Sequence, residues 1–311
     1  MQEAGPQKLD GTNNLPYPIH GLWYQRIPAD WRQGASTILP TLMGCDAPYE
    51  RRGKDGQADE ASRMRLMEET TDGGLLNGRL SYRQFRHGYR TGIEPVLLAA
   101  SIPAKPGQRV LEAGCGAGAG LMCLCARVPG LEGVGVEADA GTAALARHNW
   151  AANGMDTLVL QEGLVEDLPD TIGLFDHVLA NPPWHRGDAS ASPFGRRDLA
   201  RRTRTGLLDE WIVILSGHLR PGGTLTLILP AALHAQASGV MRGLGGLGGI
   251  TLLPFWPKQE MAAKIILMQG RRGMQSDAAV LPGLILHHAG GRYTEAAEAI
   301  LRGGSALPTG A

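Results

Sequence analysis

The chain has 311 residues, enough for one large α/β domain or two modest ones. Hydrophobic residues make up 43% and charged residues 19%, an ordinary balance for a soluble protein with a core. The formal net charge is zero, so no global field announces a polyanionic partner, although a local basic patch would be enough for RNA. Arg outnumbers Lys 25 to 5, a bias that suits phosphate and base contacts and that genome composition could equally produce. The cysteines Cys45, Cys115, Cys123 and Cys125 have no zinc-ligand spacing, so reduced, buried thiols and no metal are expected. With no apolar run of membrane-spanning length and no basic-then-apolar start, the expected location is the cytoplasm and the expected state a monomer.

Residues 1–70 show no sustained period of two or 3.6, and residues 50–62 have the composition of a solvated linker. This stretch is expected to be a disordered or non-native extension, with Met64 or Met67 as an alternative start. A short cap segment over 71–104 precedes the main domain, 105–307. From Leu75 onward strands and helices alternate, which predicts a doubly wound, Rossmann-like α/β sheet. The expected strands are Arg109–Glu112, Glu132–Glu137, Thr157–Gln161, Phe175–Ala180, Thr224–Leu229, Ile250–Phe255 and Ala263–Gln269. The expected helices are Gly118–Arg127, Ala140–Ala152 and Leu207–Leu219, the last stopped by Arg220-Pro221-Gly222-Gly223. Gly243–Gly249 reads as a glycine-rich loop.

The first strand of the domain runs into Glu112-Ala113-Gly114-Cys115-Gly116-Ala117-Gly118 and then a helix. Gly114, Gly116 and Gly118 would let the main chain approach a ligand closely, and the absence of a following Gly-Lys-Ser/Thr excludes a P-loop. Such a turn alone could serve NAD, FAD or no ligand. Glu112 opens the turn where a cationic amino group could be received, which favours S-adenosylmethionine. Glu137 closes the second strand, where it could accept hydrogen bonds from ribose hydroxyls, a feature shared with NAD enzymes.

The most specific signal is Asn181-Pro182-Pro183-Trp184, directly after the fourth strand. The exocyclic amine of a base is a poor nucleophile because its lone pair is delocalised into the ring. The Asn181 side-chain oxygen and the Pro182 carbonyl can each accept one amine hydrogen, holding the nitrogen in line with a methyl donor. The prolines stiffen the turn and leave carbonyls outside a sheet ladder, and Trp184 offers a flat face for an extruded base. His177 is expected to be a packed neutral histidine, His185 a rim residue, and His287-His288 surface.

These residues resemble the class I methyltransferases that modify amino groups, and within them the bacterial tRNA(Val) adenine-N6 methyltransferase family, which acts beside the anticodon. The resemblance runs from about Leu75 to Leu307. It includes Gly88–Ala100, the glycine turn, the Asn-Pro-Pro-Trp segment, Leu219–Gly223 and His287–Leu301. It implies that the segment 89–95 packs beside the methionine end of the cofactor, with Thr91 and Arg90 as contacts, though a plain helix N-terminus fits those residues as well. The chain departs from the family at Glu94, where Asp is frequent, and at Trp184, where another aromatic is usual. Leu164 stands where an Asp commonly receives the adenine amine, so Glu166, Asp167 or a backbone group would have to substitute.

The loop 185–205 carries Arg186, Arg196, Arg197, Arg201, Arg202 and Arg204 against Asp188 and Asp198, and is expected to rim the pocket and hold RNA phosphates. Arg79, Arg83, Arg86 and Arg90 interleave with Tyr82, Phe85 and Tyr89 in a second basic and aromatic stretch. The resemblance outside the core, at Tyr89–Ala100 and the C-terminal stretch, implies tRNA as the substrate. Enzymes that methylate guanine N2 of ribosomal RNA or a release-factor glutamine share the Asn-Pro-Pro-aromatic core. A cofactor- or RNA-binding module without catalysis is the remaining alternative.

Overall fold

The computed structural model describes residues 70–87, 90–183 and 206–307; the N-terminal extension, Trp184 and the arginine-rich loop lie outside them. The described chain begins with an antiparallel hairpin, β1 (Thr70–Leu75) and β2 (Leu80–Phe85), in register Thr70↔Phe85 to Leu75↔Leu80. Its turn holds Leu76, Asn77 and Gly78 at φ of 50°, 57° and 81°, left-handed geometry that follows the twist of the strands and that Asn-Gly tolerates well. Helix α1 (Glu94–Ser101) follows, with Pro95 in its first turn, where a missing N–H costs nothing, and with Val96 to Ser101 all buried. The cap segment is therefore a hairpin and a buried helix.

The main sheet is built from β3 (Arg109–Ala113), β4 (Glu132–Glu137), β5 (Leu158–Glu162), β6 (Phe175–Ala180), β7 (Leu219–Pro230), β8 (Leu247–Trp256) and β9 (Ile265–Arg272), with the short β10 (Ala279–Val280) and β11 (Leu284–Ile285). Across the sheet the order is β10-β8-β9-β7-β6-β3-β4-β5, and β11 also pairs with β8. All pairings are parallel except those of β9, which runs antiparallel to β7 and β8. Helices α2 (Ala119–Arg127), α3 (Ala140–Ala152), α4 (Leu207–Gly217) and α5 (His234–Gly243) run between strands, and α6 (Glu295–Leu301) follows β11.

Both sheet faces are covered, which is why the inner strands read as nearly continuous apolar runs. Val110, Leu179, Ile228 and Leu267 join one core with α1, α2, Trp150 of α3, the hairpin and α6; Leu111, Val178, Leu227 and Met268 join the other with α4 and α5. At the opposite end of the strands, the buried His177 bridges Thr224 Oγ1 (2.8 Å) and Gln108 Oε1 (3.1 Å). Burial lowers its pKa to about 4, so it packs as a neutral ring.

Several boundaries differ from the sequence reading. Helix α4 ends at Gly217, and Leu219–Pro230 is one strand. The register shift between Phe175 and His177, opposite Leu219 and Thr224, together with Gly222 at φ 77°, makes Arg220–Gly223 a bulge inside β7 rather than a stop before it. The glycine stretch 243–249 is part helix end and part strand: α5 runs to Gly243 and β8 starts at Leu247. His287 is half-buried and stacked on Tyr293, with ring centroids 4.7 Å apart, rather than on the surface.

Candidate active site

The parallel register assembles the site. Ala113, the last residue of β3, lies opposite Ala180 of β6 on one side and Val136 of β4 on the other. The next residue of each chain segment is Asn181, Gly114 and Glu137, so these three emerge side by side at the C-terminal edge, with neighbouring strands about 4.8 Å apart. Glu162 of β5 continues the row opposite Glu137. This edge is where open α/β sheets bind ligands.

The turn between β3 and α2 is held by Cys115 N donating to Val136 O and Gly118 N donating to Cys115 O, both at 2.9 Å. Gly114, Gly116 and Gly118 have φ of 66°, 57° and 86°. They are required for different reasons. A side chain on Gly114 would meet Trp211 of α4 at 3.1 Å, and one on Gly118 would collide with the Trp150 indole. Gly116 faces open space, so its backbone is the part that a ligand can approach.

Two buried carboxylates stand behind the turn. Glu137 Oε2 accepts from Gly116 N (3.0 Å) and its Oε1 from Asp139 N (2.9 Å), which fixes the carboxylate against the loop. Asp139 in turn caps α3 by accepting from Thr142 N (2.9 Å) and Thr142 Oγ1 (2.8 Å). Glu112 is only 4% exposed, and its Oε2 accepts from Leu121 N (2.8 Å) in the first turn of α2. Gly120 leaves the space this carboxyl occupies, since a Cβ there would overlap it. Burial, reinforced by the Glu137 charge, pushes the Glu112 pKa up to about 8 despite the Leu121 amide. A glycine-turn helix that binds a dinucleotide offers its N-terminal amides to phosphate. Here an acid already uses one of them, so that amide is not free for a phosphate.

Residues 93–244 match the methyltransferase small domain. Among curated relatives, a ribosomal RNA small subunit methyltransferase C from Shewanella amazonensis is 29% identical over 180 residues, 56% of this chain and 49% of that protein. A tRNA1(Val) (adenine(37)-N6)-methyltransferase from Aeromonas salmonicida is 26% identical over 231 residues, 70% of this chain and 93% of that protein. A solved structure described as a predicted O-methyltransferase from Agrobacterium tumefaciens superposes with a TM-score of 0.57 at 22% identity, covering 68% of this chain and 97% of that one, which shows the shared fold. The chain thus spans about half of one kind of relative and nearly all of the other. The matched region is similar to methyltransferase domains, and the cofactor that this similarity supports is S-adenosylmethionine. The buried acids and the open Gly116 fit that cofactor, which carries a sulfonium and an ammonium and no phosphate.

Within the matched region, Asn181 and Pro183 are half-buried and Pro182 is buried, directly past the end of β6. Thr91 lies against β2: its amide donates to Gln84 Oε1 (3.1 Å), and its hydroxyl shares a 2.7 Å hydrogen bond with Tyr82 Oη. Leu164 is half-buried and leads into a single turn, Val165–Asp167, that carries Glu166 and Asp167 beside the end of β5. Trp184 and Arg186, Arg196, Arg197, Arg201, Arg202 and Arg204 lie outside the described residues.

The second basic and aromatic stretch is largely used in holding the fold. Arg83 pairs with Asp72 at 2.7 Å, Arg79 donates to Gly303 O at the end of α6, and Arg90 reaches Thr71 Oγ1. Tyr82 is buried and Phe85 packs against the core. Three residues were missed by sequence reasoning: Asn149 and Trp150, which reach the glycine turn from α3, and Trp211, which lies beneath Gly114. The Trp211 indole N–H is buried without a partner among the described residues. The HNWAANG run at the end of α3 was the available signal, but a polar helix end resembles any solvated one.

Proposed function

We propose that the protein transfers a methyl group to the exocyclic amino nitrogen of an RNA base, with adenine N6 in tRNA as the first substrate. The observation that carries this reading is the register that brings Asn181 out beside Gly114. An amide oxygen and the following prolyl carbonyl then border the cofactor turn on a rigid strand end. S-adenosylmethionine supplies a methyl group on a sulfonium that needs no further activation. The Asn181 oxygen and the Pro182 carbonyl each accept one amine hydrogen, which turns the nitrogen lone pair toward the cofactor side. The resulting cationic amine gives its proton to water, so no side chain has to act as a base. Glu137 accepts from ribose hydroxyls, Gly114, Gly116 and Gly118 admit the cofactor to the backbone, and Thr91 and Glu112 serve its methionine end. Trp184 stacks the base, and the six arginines of the loop 185–205 hold phosphates.

tRNA is favoured because the alignment spans 93% of the tRNA1(Val) relative and 49% of the ribosomal one. Ribosomal RNA is the second reading, supported by the 29% identity to the small subunit methyltransferase. The reading carries with it a cytoplasmic, monomeric, metal-independent enzyme, checked by gel filtration and by activity in chelator. The test offers the protein unmodified tRNA, ribosomal RNA and release factor with labelled cofactor, followed by digestion and mass spectrometry. N6-methyladenosine formed in tRNA, and lost with Asn181→Ala, is the expected result. Label in ribosomal RNA alone would move the substrate, and no label in any of the three would overturn the reading.

A further inference from the structure

The hairpin β1–β2 makes no ladder with the main sheet, yet the outer edge of β2 is satisfied. Two asparagines of α3 take the place of a third strand. Asn149 Oδ1 accepts from Arg83 N (2.8 Å) while its Nδ2 donates to Arg83 O (2.9 Å). One turn later, Asn153 Oδ1 accepts from Ser81 N (3.0 Å) and its Nδ2 donates to Ser81 O (2.8 Å). Four residues of helix rise about 6 Å and two residues of strand about 6.6 Å, so the i, i+4 pair matches the alternating backbone groups of the strand. The second donor of Asn153 stays within its own helix, on Asn149 O (2.7 Å). The second donor of Asn149 goes to Ala117 O (2.9 Å), in the glycine turn. Beside it, Trp150 Nε1 donates to Gly118 O (3.1 Å).

We infer that Asn149 is a positioning residue that joins the N-terminal hairpin to the cofactor turn, so that docking of the hairpin sets cofactor affinity. The inference rests on the reading of that turn as the cofactor site. Three features support it. Asn149 is 1% exposed with both donors and its acceptor in use, so no conformer can drop one bond for water. The same strand grips the segment 90–93 through Tyr82 Oη and Gln84 Oε1 on Thr91, so β2 is bonded to both walls of the site. Finally, an isolated two-stranded hairpin is marginal in water, so its order depends on these contacts.

The test separates docking from the link to the turn. Asn153→Ala removes hairpin bonds and one bond within α3, Trp150→Phe removes a turn bond and part of the indole packing, and Asn149→Ala removes hairpin and turn bonds together. Binding of S-adenosylhomocysteine is measured by calorimetry without RNA, well below each variant's unfolding temperature. Amide exchange at residues 114–119 is followed in parallel. Asn149→Ala is expected to raise Kd about tenfold and to speed exchange in the turn, whereas Asn153→Ala lowers Tm with Kd within twofold of wild type. Should Asn149→Ala fail to fold, Tyr82→Phe tests the other joint, where loss of one hydroxyl is expected to weaken binding several-fold. Equal Kd for wild type and both joint variants, or a Kd that merely tracks Tm across all of them, would overturn the inference. A wild-type protein that binds no S-adenosylhomocysteine would instead overturn the cofactor reading beneath it.

Discussion

Replacing Glu137 by glutamine keeps the shape of the side chain and removes one acceptor. In the wild-type protein the two carboxylate oxygens take one backbone amide each, Gly116 N at 3.0 Å and Asp139 N at 2.9 Å, at a residue only 6% exposed. In the variant one oxygen remains and an NH2 group faces the other amide, donor against donor. A hydrogen bond to a charged group contributes about 1.5–3 kcal/mol, more than a neutral one. For a domain of this size each kcal/mol shifts Tm by about 2–4 °C, so Glu137→Gln should unfold roughly 3–12 °C below wild type. The same carboxylate is assigned to the ribose hydroxyls, so the Kd for S-adenosylhomocysteine should rise about tenfold or more. Calorimetric unfolding and isothermal titration read the two effects separately. A lowered Tm with unchanged Kd would make Glu137 only a fastener of the turn, and an unchanged Tm would refute the hydrogen-bond geometry itself.

Asn181→Ala should reduce methyl transfer at least about a hundredfold while leaving the cofactor Kd within twofold, since the role proposed for it is to hold the amine; wild-type turnover would reject that role. Burial raises the Glu112 pKa from 4.5 to about 8, so the folded state resists its ionisation. Its contribution to stability is fully present below about pH 4.5 and is lost as pH rises through about 8. The Tm of wild type relative to Glu112→Gln should therefore fall between pH 5 and 8, and a pH-independent difference would show that the carboxyl is not desolvated. Replacing Arg186, Arg196, Arg197, Arg201, Arg202 and Arg204 with alanine should raise KM for RNA and flatten its salt dependence; an unchanged slope would put the RNA on another surface.

The inner strands β4 and β6 and the helix α3 stand at the residues expected from sequence, because each is an apolar run or amphipathic stretch closed by Gly, Asp or Asn. The hairpin was harder to read. Its Asn77-Gly78 turn is a good hairpin signal, but it lies next to Gly73-Gly74 and beside charged residues, so no alternation stands out. Helix α5 buries only Ala237 and Met241, and β10 and β11 have two residues each, too short for any periodicity. At the site, the sequence marks Glu112 as an acid at a strand end. It cannot show that Gly120, eight residues later, clears the space into which its carboxyl turns. The arginines 79–90 looked like one basic surface because their partners, Asp72 and the end of α6, are distant in sequence or on the facing strand.

The charges around the site divide its work. Behind the glycine turn are two buried carboxylates, and the nearby amide of Leu121, which an anion could have used, is bonded to one of them. On the proposed reading, Glu137 and the carboxyl of Glu112, which burial keeps largely protonated at neutral pH, present acceptors to a cationic cofactor, and the Leu121 amide is not free for a phosphate. The chain's densest run of arginines lies in the loop directly after Pro183, on the other side of Asn181 in sequence. In the proposed function those arginines hold RNA phosphates and Asn181 holds the base amine. The register sets Asn181 beside Gly114, so the proposed amine acceptor emerges next to the proposed cofactor turn. That adjacency is what in-line transfer of a methyl group from a sulfonium to an amine requires.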